Sequence, residues 1–142
     1  MSTFDADKYL KAQNGPYGSY EQALKEIRNG RKTSHWIWYI FPQIAGLGFS
    51  STSRFYALKS LDEAKQYLEN ETLRSRLVEI SEALLQHDLD ARSIMGSPDD
   101  MKLRSSMTLF QAADPDTKVF GKVLDKFFGG KPDQNTLAII SR

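Results

Sequence analysis

Apolar residues recur along this chain with the spacing of helices. Leu73, Leu77, Ile80 and Leu84 fall at i, i+4, i+7 and i+11, a stripe down one helical face. Leu103, Met107 and Phe110 form a second stripe. Val119, Phe120, Val123, Leu124, Phe127 and Phe128 form a third, and Leu137, Ile139 and Ile140 a short fourth. Start and stop residues separate these stretches. Ser19 with Gln22 and Ser60 with Glu63 have the spacing of capping boxes, and Asn70 can cap the stripe that follows it. Gly30 and the pair Gly129-Gly130 are placed to end helices. In GSPDD, residues 96–100, Ser97 is the expected N-cap, Pro98 the first helical residue, and Asp99 and Asp100 sit where the dipole favours acids. Asp116 or Thr117 is expected to open the third stripe, and Pro132 and Asp133 the fourth.

The segment 35–41 breaks the pattern, being apolar or aromatic almost throughout and ending before Pro42. No Asn-Gly or Asp-Gly turn separates two alternating segments, so a strand here would have no partner. A helix is expected instead, capped by Thr33 or Ser34 and stopped near Pro42. The expectation is an all-α fold: a compact single-domain bundle of short helices spanning residues 1–142. The stretch 44–53 reads as its loosest loop.

Composition narrows the function classes. Lys and Arg number 19 against 18 Asp and Glu, so no basic excess points to a nucleic-acid polymer. There are no cysteines, which excludes disulfides, thiolate catalysis and cysteine-ligated metal. The opening MSTFDADKYL has neither the charged nor the apolar region of a signal peptide, and no apolar run approaches the ~20 residues of a membrane span. A cytoplasmic protein without membrane contact is expected. With two histidines, no metal set is apparent and no cofactor motif is present. His87 reads as a partner for the dipole at a helix C-terminus.

The candidate chemistry lies in GRKTSHWIWYIFPQ, residues 30–43. Two readings are open. The segment is a core helix whose indole and phenol groups find nearby partners, or one side of it lines a cleft for a planar ligand. Arg31, Lys32 and Ser34 precede it as candidate anion ligands, and Trp36, Trp38 and Tyr39 are candidate stacking residues. His35 is the candidate for proton transfer, should the site be catalytic. GLGFSSTSR follows at 46–54: Gly46 and Gly48 allow close backbone approach, Ser51 and Ser53 offer hydroxyls, and Arg54 can pair with an oxyanion. It lacks the Gly-Lys-Ser/Thr ending of a phosphate-binding P-loop. A second polar cluster, Lys102, Ser105 and Ser106, lies beside the stripe of residues 103–110.

The strings WIWYIFPQ and DDMKLRSSMTLF, with SLDEAKQYLENETLRSRLVEISEALL between them, resemble an uncharacterised family of small microbial proteins. It is known as domain of unknown function 1810, and its members are sometimes mislabelled calpastatin. The resemblance covers nearly the whole chain and implies a compact all-helical domain. Calpastatins are disordered and repetitive, and this chain is neither. The family supplies no catalytic residues. Two functions follow from the residues themselves: a site for an anionic, phosphate-bearing, nucleotide-like small molecule, or a protein-interaction module that uses an aromatic groove.

Overall fold

The computed structural model describes residues 4–142. Among the described residues there are ten helices and no strand, an all-α fold. In chain order they are α1 (Ala6–Gln13), α2 (Tyr20–Arg28), α3 (Ile37–Ile40), α4 (Ser51–Tyr56) and α5 (Leu61–Glu69). Then come α6 (Glu71–Leu85), α7 (Ala91–Met95), α8 (Asp99–Ala113), α9 (Val119–Phe128) and α10 (Gln134–Ile140). None of them is long and apolar enough to cross a membrane.

Local capping sets most boundaries. The side chains of Ser19, Ser60, Asn70 and Asp133 each accept the backbone N–H three residues on. Gly129 ends α9 in the left-handed region. Ser50 and Asp90 cap α4 and α7 in the same manner, and Asp5 caps α1 through Asp7 N, two residues on; all three helices are too short to show a stripe in the sequence. The N-cap of α8 is Pro98 rather than Ser97, one residue later than expected, with no side-chain cap. The N-cap of α9 is Lys118: the Thr117 hydroxyl is spent on Asp114, at 2.7 Å, and on Arg74, at 2.6 Å.

At the centre lies α8, packed against α3, α5, α7, α9 and α10. Residues 105–110 are all buried, which is why this helix is not amphipathic. Two of its hydroxyls turn back on their own helix: Ser105 Oγ donates to Met101 O and Thr108 Oγ1 to Arg104 O. The stripe of α6 packs against α2, α5 and α9. Leu73, Leu77, Ile80 and Leu84 are buried in one core with Tyr9, Trp36, Tyr67, Phe110 and Phe120. Burying each large apolar side chain stabilises the fold by about 1.5–3 kcal/mol.

A parallel bridge joins Ile44 to Leu58. Ala45 N donates to Leu58 O at 2.8 Å, and Leu58 N to Gln43 O at 2.9 Å. The excursion between them, loop 45–50 and α4, is thereby closed at its base. Part of the expected loose loop is thus helix.

Candidate functional site

The aromatic segment is organised by a residue outside it. Ala23, Glu26 and Ile27 share the buried face of α2, and Glu26 is only 8% exposed. Its carboxylate accepts five hydrogen bonds: Thr33 N at 2.7 Å, Ser34 N at 3.0 Å, Ser34 Oγ at 2.7 Å, Trp36 Nε1 at 3.0 Å and Gln22 Nε2 at 3.1 Å. Burial on its own pushes the carboxyl pKa up. The bonds from Ser34, Thr33 and Trp36 outweigh it and hold the pKa at about 2. Because Thr33 and Ser34 serve Glu26, neither caps a helix. The chain bends at Ser34 and His35 and then makes a single helical turn, α3, where a longer helix was expected.

This knot removes several candidate ligands from play. Lys32, its side chain 6% exposed, pairs with Asp99 at 2.7 Å, donates to Ser34 O and lies over the Trp36 ring. The Ser34 hydroxyl is consumed by Glu26 and Gln22. Trp36 is fully buried with its indole N–H satisfied, so no ligand can stack on it. The Tyr39 hydroxyl donates to Gly18 O at 2.7 Å, and burial pushes its pKa up, so it stays protonated at neutral pH. Four expected site residues are therefore structural, because Glu26, Asp99 and Gly18 O already hold their polar groups. Ser106 is buried in α8, and its hydroxyl has no hydrogen-bond partner among the described residues.

Other candidates do converge. A cleft of about 540 Å³ opens where loop 45–50, α4, the first turns of α8 and the start of α10 meet. Trp38, Gly46, Gly48, Ser53, Arg54, Lys102 and Ser105, all singled out from the sequence, line it. The guanidinium of Arg54 has no hydrogen bond or ion pair to another described residue. Lys102 is partly engaged: its Nζ lies 3.4 Å from Asp99 Oδ1 and 5.4 Å from the Trp38 ring centre. Trp38 is half-buried, with that ammonium over its face.

The serines here serve a different end from the one expected. Ser50 Oγ caps α4 through Ser53 N at 3.1 Å, and Ser53 Oγ donates to Ser50 O at 2.9 Å. A Cβ on Gly48 would sit 2.5 Å from Ser53 Oγ, so the close approach that Gly48 permits is to this helical turn. Ser105 Oγ also lies 3.2 Å from Asp133 Oδ2, the carboxylate that caps α10. The cleft wall is thus held by hydroxyls that are partly spent, and its free cationic group is Arg54.

Arg31, His35 and Ser51 lie outside the cleft, each exposed to solvent. The lining contains no histidine, so His35 is not placed to transfer a proton there. His87 donates from Nε2 to Ile27 O: it serves the C-terminal end of α2, not that of its own helix. Among the described residues no group of three or more His, Cys, Asp or Glu is arranged to hold a metal ion. Sequence reasoning passed over Gln43, Phe49, Met101 and Asn135 in the lining. Phe49, the lone aromatic residue in a Gly/Ser stretch, was the available signal. For Glu26 the signal was an acid on the apolar face of α2.

A family model described as "Protein of unknown function (DUF1810)" matches residues 3–140. The chain belongs to the DUF1810 family. The crystal structure of the conserved hypothetical protein Rv1873 from Mycobacterium tuberculosis is similar to this DUF1810 chain. Identity is 38%, 99% of each chain is covered, and the TM-score is 0.94. No curated protein matches it.

Proposed function

We propose that this protein binds a small anionic, phosphate-bearing ligand of nucleotide-like kind in the cleft between loop 45–50, α4, α8 and α10. One observation carries the reading. Residues far apart in the chain bring the unpaired guanidinium of Arg54 and the ammonium of Lys102 to the same cavity, whose volume suits a small molecule. Arg54 offers the planar fork that pairs with phosphate oxygens, and Lys102 adds a second positive charge at the aromatic wall. The burial of Trp36 and Tyr39 favours this reading over an interaction module with an aromatic groove, since that groove would need those rings on the surface.

Thermal shift with AMP, or with inorganic phosphate alone, tests the proposal. The melting temperature of the wild type is expected to rise with ligand concentration. Arg54→Ala should abolish the rise while melting normally without ligand, because the side chain is exposed and unpaired. Arg31→Ala should behave as wild type. Equal shifts in wild type and Arg54→Ala would overturn the proposal.

A further inference from the structure

The cleft also holds groups that a phosphate does not use. Phe49 lines it with 84% of its surface exposed. Met101 lines it too, 47% exposed. The amides of Gln43 and Asn135 line the cleft as well and make no side-chain hydrogen bond to another described residue. Each free amide both donates and accepts.

We infer that the ligand's second half is a flat nitrogen heterocycle, that Phe49 is the residue on which it stacks, and that Gln43 and Asn135 read its edge. The inference rests on the anion reading above and deepens it. An aromatic face without a partner suits another ring: stacking covers apolar area on both sides and tolerates any heterocycle. An alkyl chain would cover Phe49 and Met101 equally well. It would also strip water from the amides of Gln43 and Asn135 and give them nothing in return. A heterocycle edge, with its own donors and acceptors, satisfies them. The stacking role that the sequence suggested for Trp36 and Tyr39 thus passes to Phe49.

Titration calorimetry with three probes, AMP, ribose 5-phosphate and n-hexyl phosphate, tests the inference on wild type, Phe49→Ala and Arg54→Ala. AMP should bind wild type more tightly than the other two. Phe49→Ala should weaken AMP roughly tenfold, within the range measured for a base stacked on an aromatic side chain, and leave ribose 5-phosphate within about twofold. Phe49→Trp should restore AMP binding. Gln43→Ala should weaken AMP and spare hexyl phosphate. The inference is overturned if AMP gains nothing over ribose 5-phosphate, or if hexyl phosphate matches AMP and loses as much in Phe49→Ala. In either case the anion reading survives as long as Arg54→Ala weakens all three probes. If Arg54→Ala changes none of them, or none binds wild type, both readings fall. Phe49→Ala is suited to the purpose because so exposed a side chain contributes little to folding.

Discussion

At Glu26, burial and hydrogen bonding act in opposite directions, and the number of donors decides the outcome. Five donors converge on two oxygens, and the pKa falls from an ordinary 4.5 to about 2. A depressed carboxyl pKa contributes stability that is present above the unfolded value and lost as pH falls through the folded one. Glu26 therefore stabilises the fold at neutral pH, by about 3 kcal/mol at roughly 1.4 kcal/mol per pKa unit, and the contribution fades between about pH 4.5 and 2. Glu26→Gln should lower the urea-unfolding free energy by about that amount at pH 7, since its amide N–H₂ faces groups that already donate. The gap between wild type and variant should narrow on acidification across this window. A constant gap from pH 7 to pH 3 would mean that Glu26 acts through packing and not through its charge.

Single elements are secured by single side chains. Asp133 caps α10 through Thr136 N at 3.0 Å and accepts the Thr136 hydroxyl at 2.6 Å, and Ser105 of α8 reaches the same oxygen. Its own N–H donates to Thr108 Oγ1 at 2.8 Å, a second tie to α8. Ile139 of α10 in turn stands beside Gly46, on the cleft loop. Asp133→Ala should cost about 1–2 kcal/mol, a lost cap together with weakened ties to α8. Hydrogen exchange should quicken at the amides of α10 while those of α6 keep their protection. Uniform loss of protection across the chain would count against a local role.

At the scale of the molecule, one core runs through helices from both ends of the sequence, with Tyr9 and Tyr67 in edge contact and Tyr67 against Phe110, which touches Phe120. A shared core of this kind unfolds as a unit. Urea transitions followed by far-ultraviolet dichroism, which reports the helices, and by tryptophan fluorescence, which reports Trp36 within the core and Trp38 at the cleft, should coincide. Separated midpoints would show that the chain contains more than one cooperative unit.

The fold class and the starts of α2, α5, α6 and α10 could be read from the residues alone, because their signals are local. A cap at Ser19, Ser60, Asn70 or Asp133 acts three residues on, and the stripe of α6 is a matter of spacing. The segment 30–43 could not be read in this way. Its hydroxyls, which look like caps, and its indole, which looks like a stacking surface, answer to Glu26 on a preceding helix. Only the folded chain shows that Thr33 and Ser34 give their N–H groups to that carboxylate and that Trp36 is sealed behind it. The cleft shows the same division. Arg54, Lys102 and Ser105 were visible as chemistry, but composition and periodicity carry no information about which side chains already have partners. Tertiary packing assigns Lys32 to Asp99, leaves Arg54 open to solvent and brings Phe49, Gln43 and Asn135 to one cavity. It does so because a hydrogen bond or an ion pair depends on distance in space, which the order of residues in a chain does not specify.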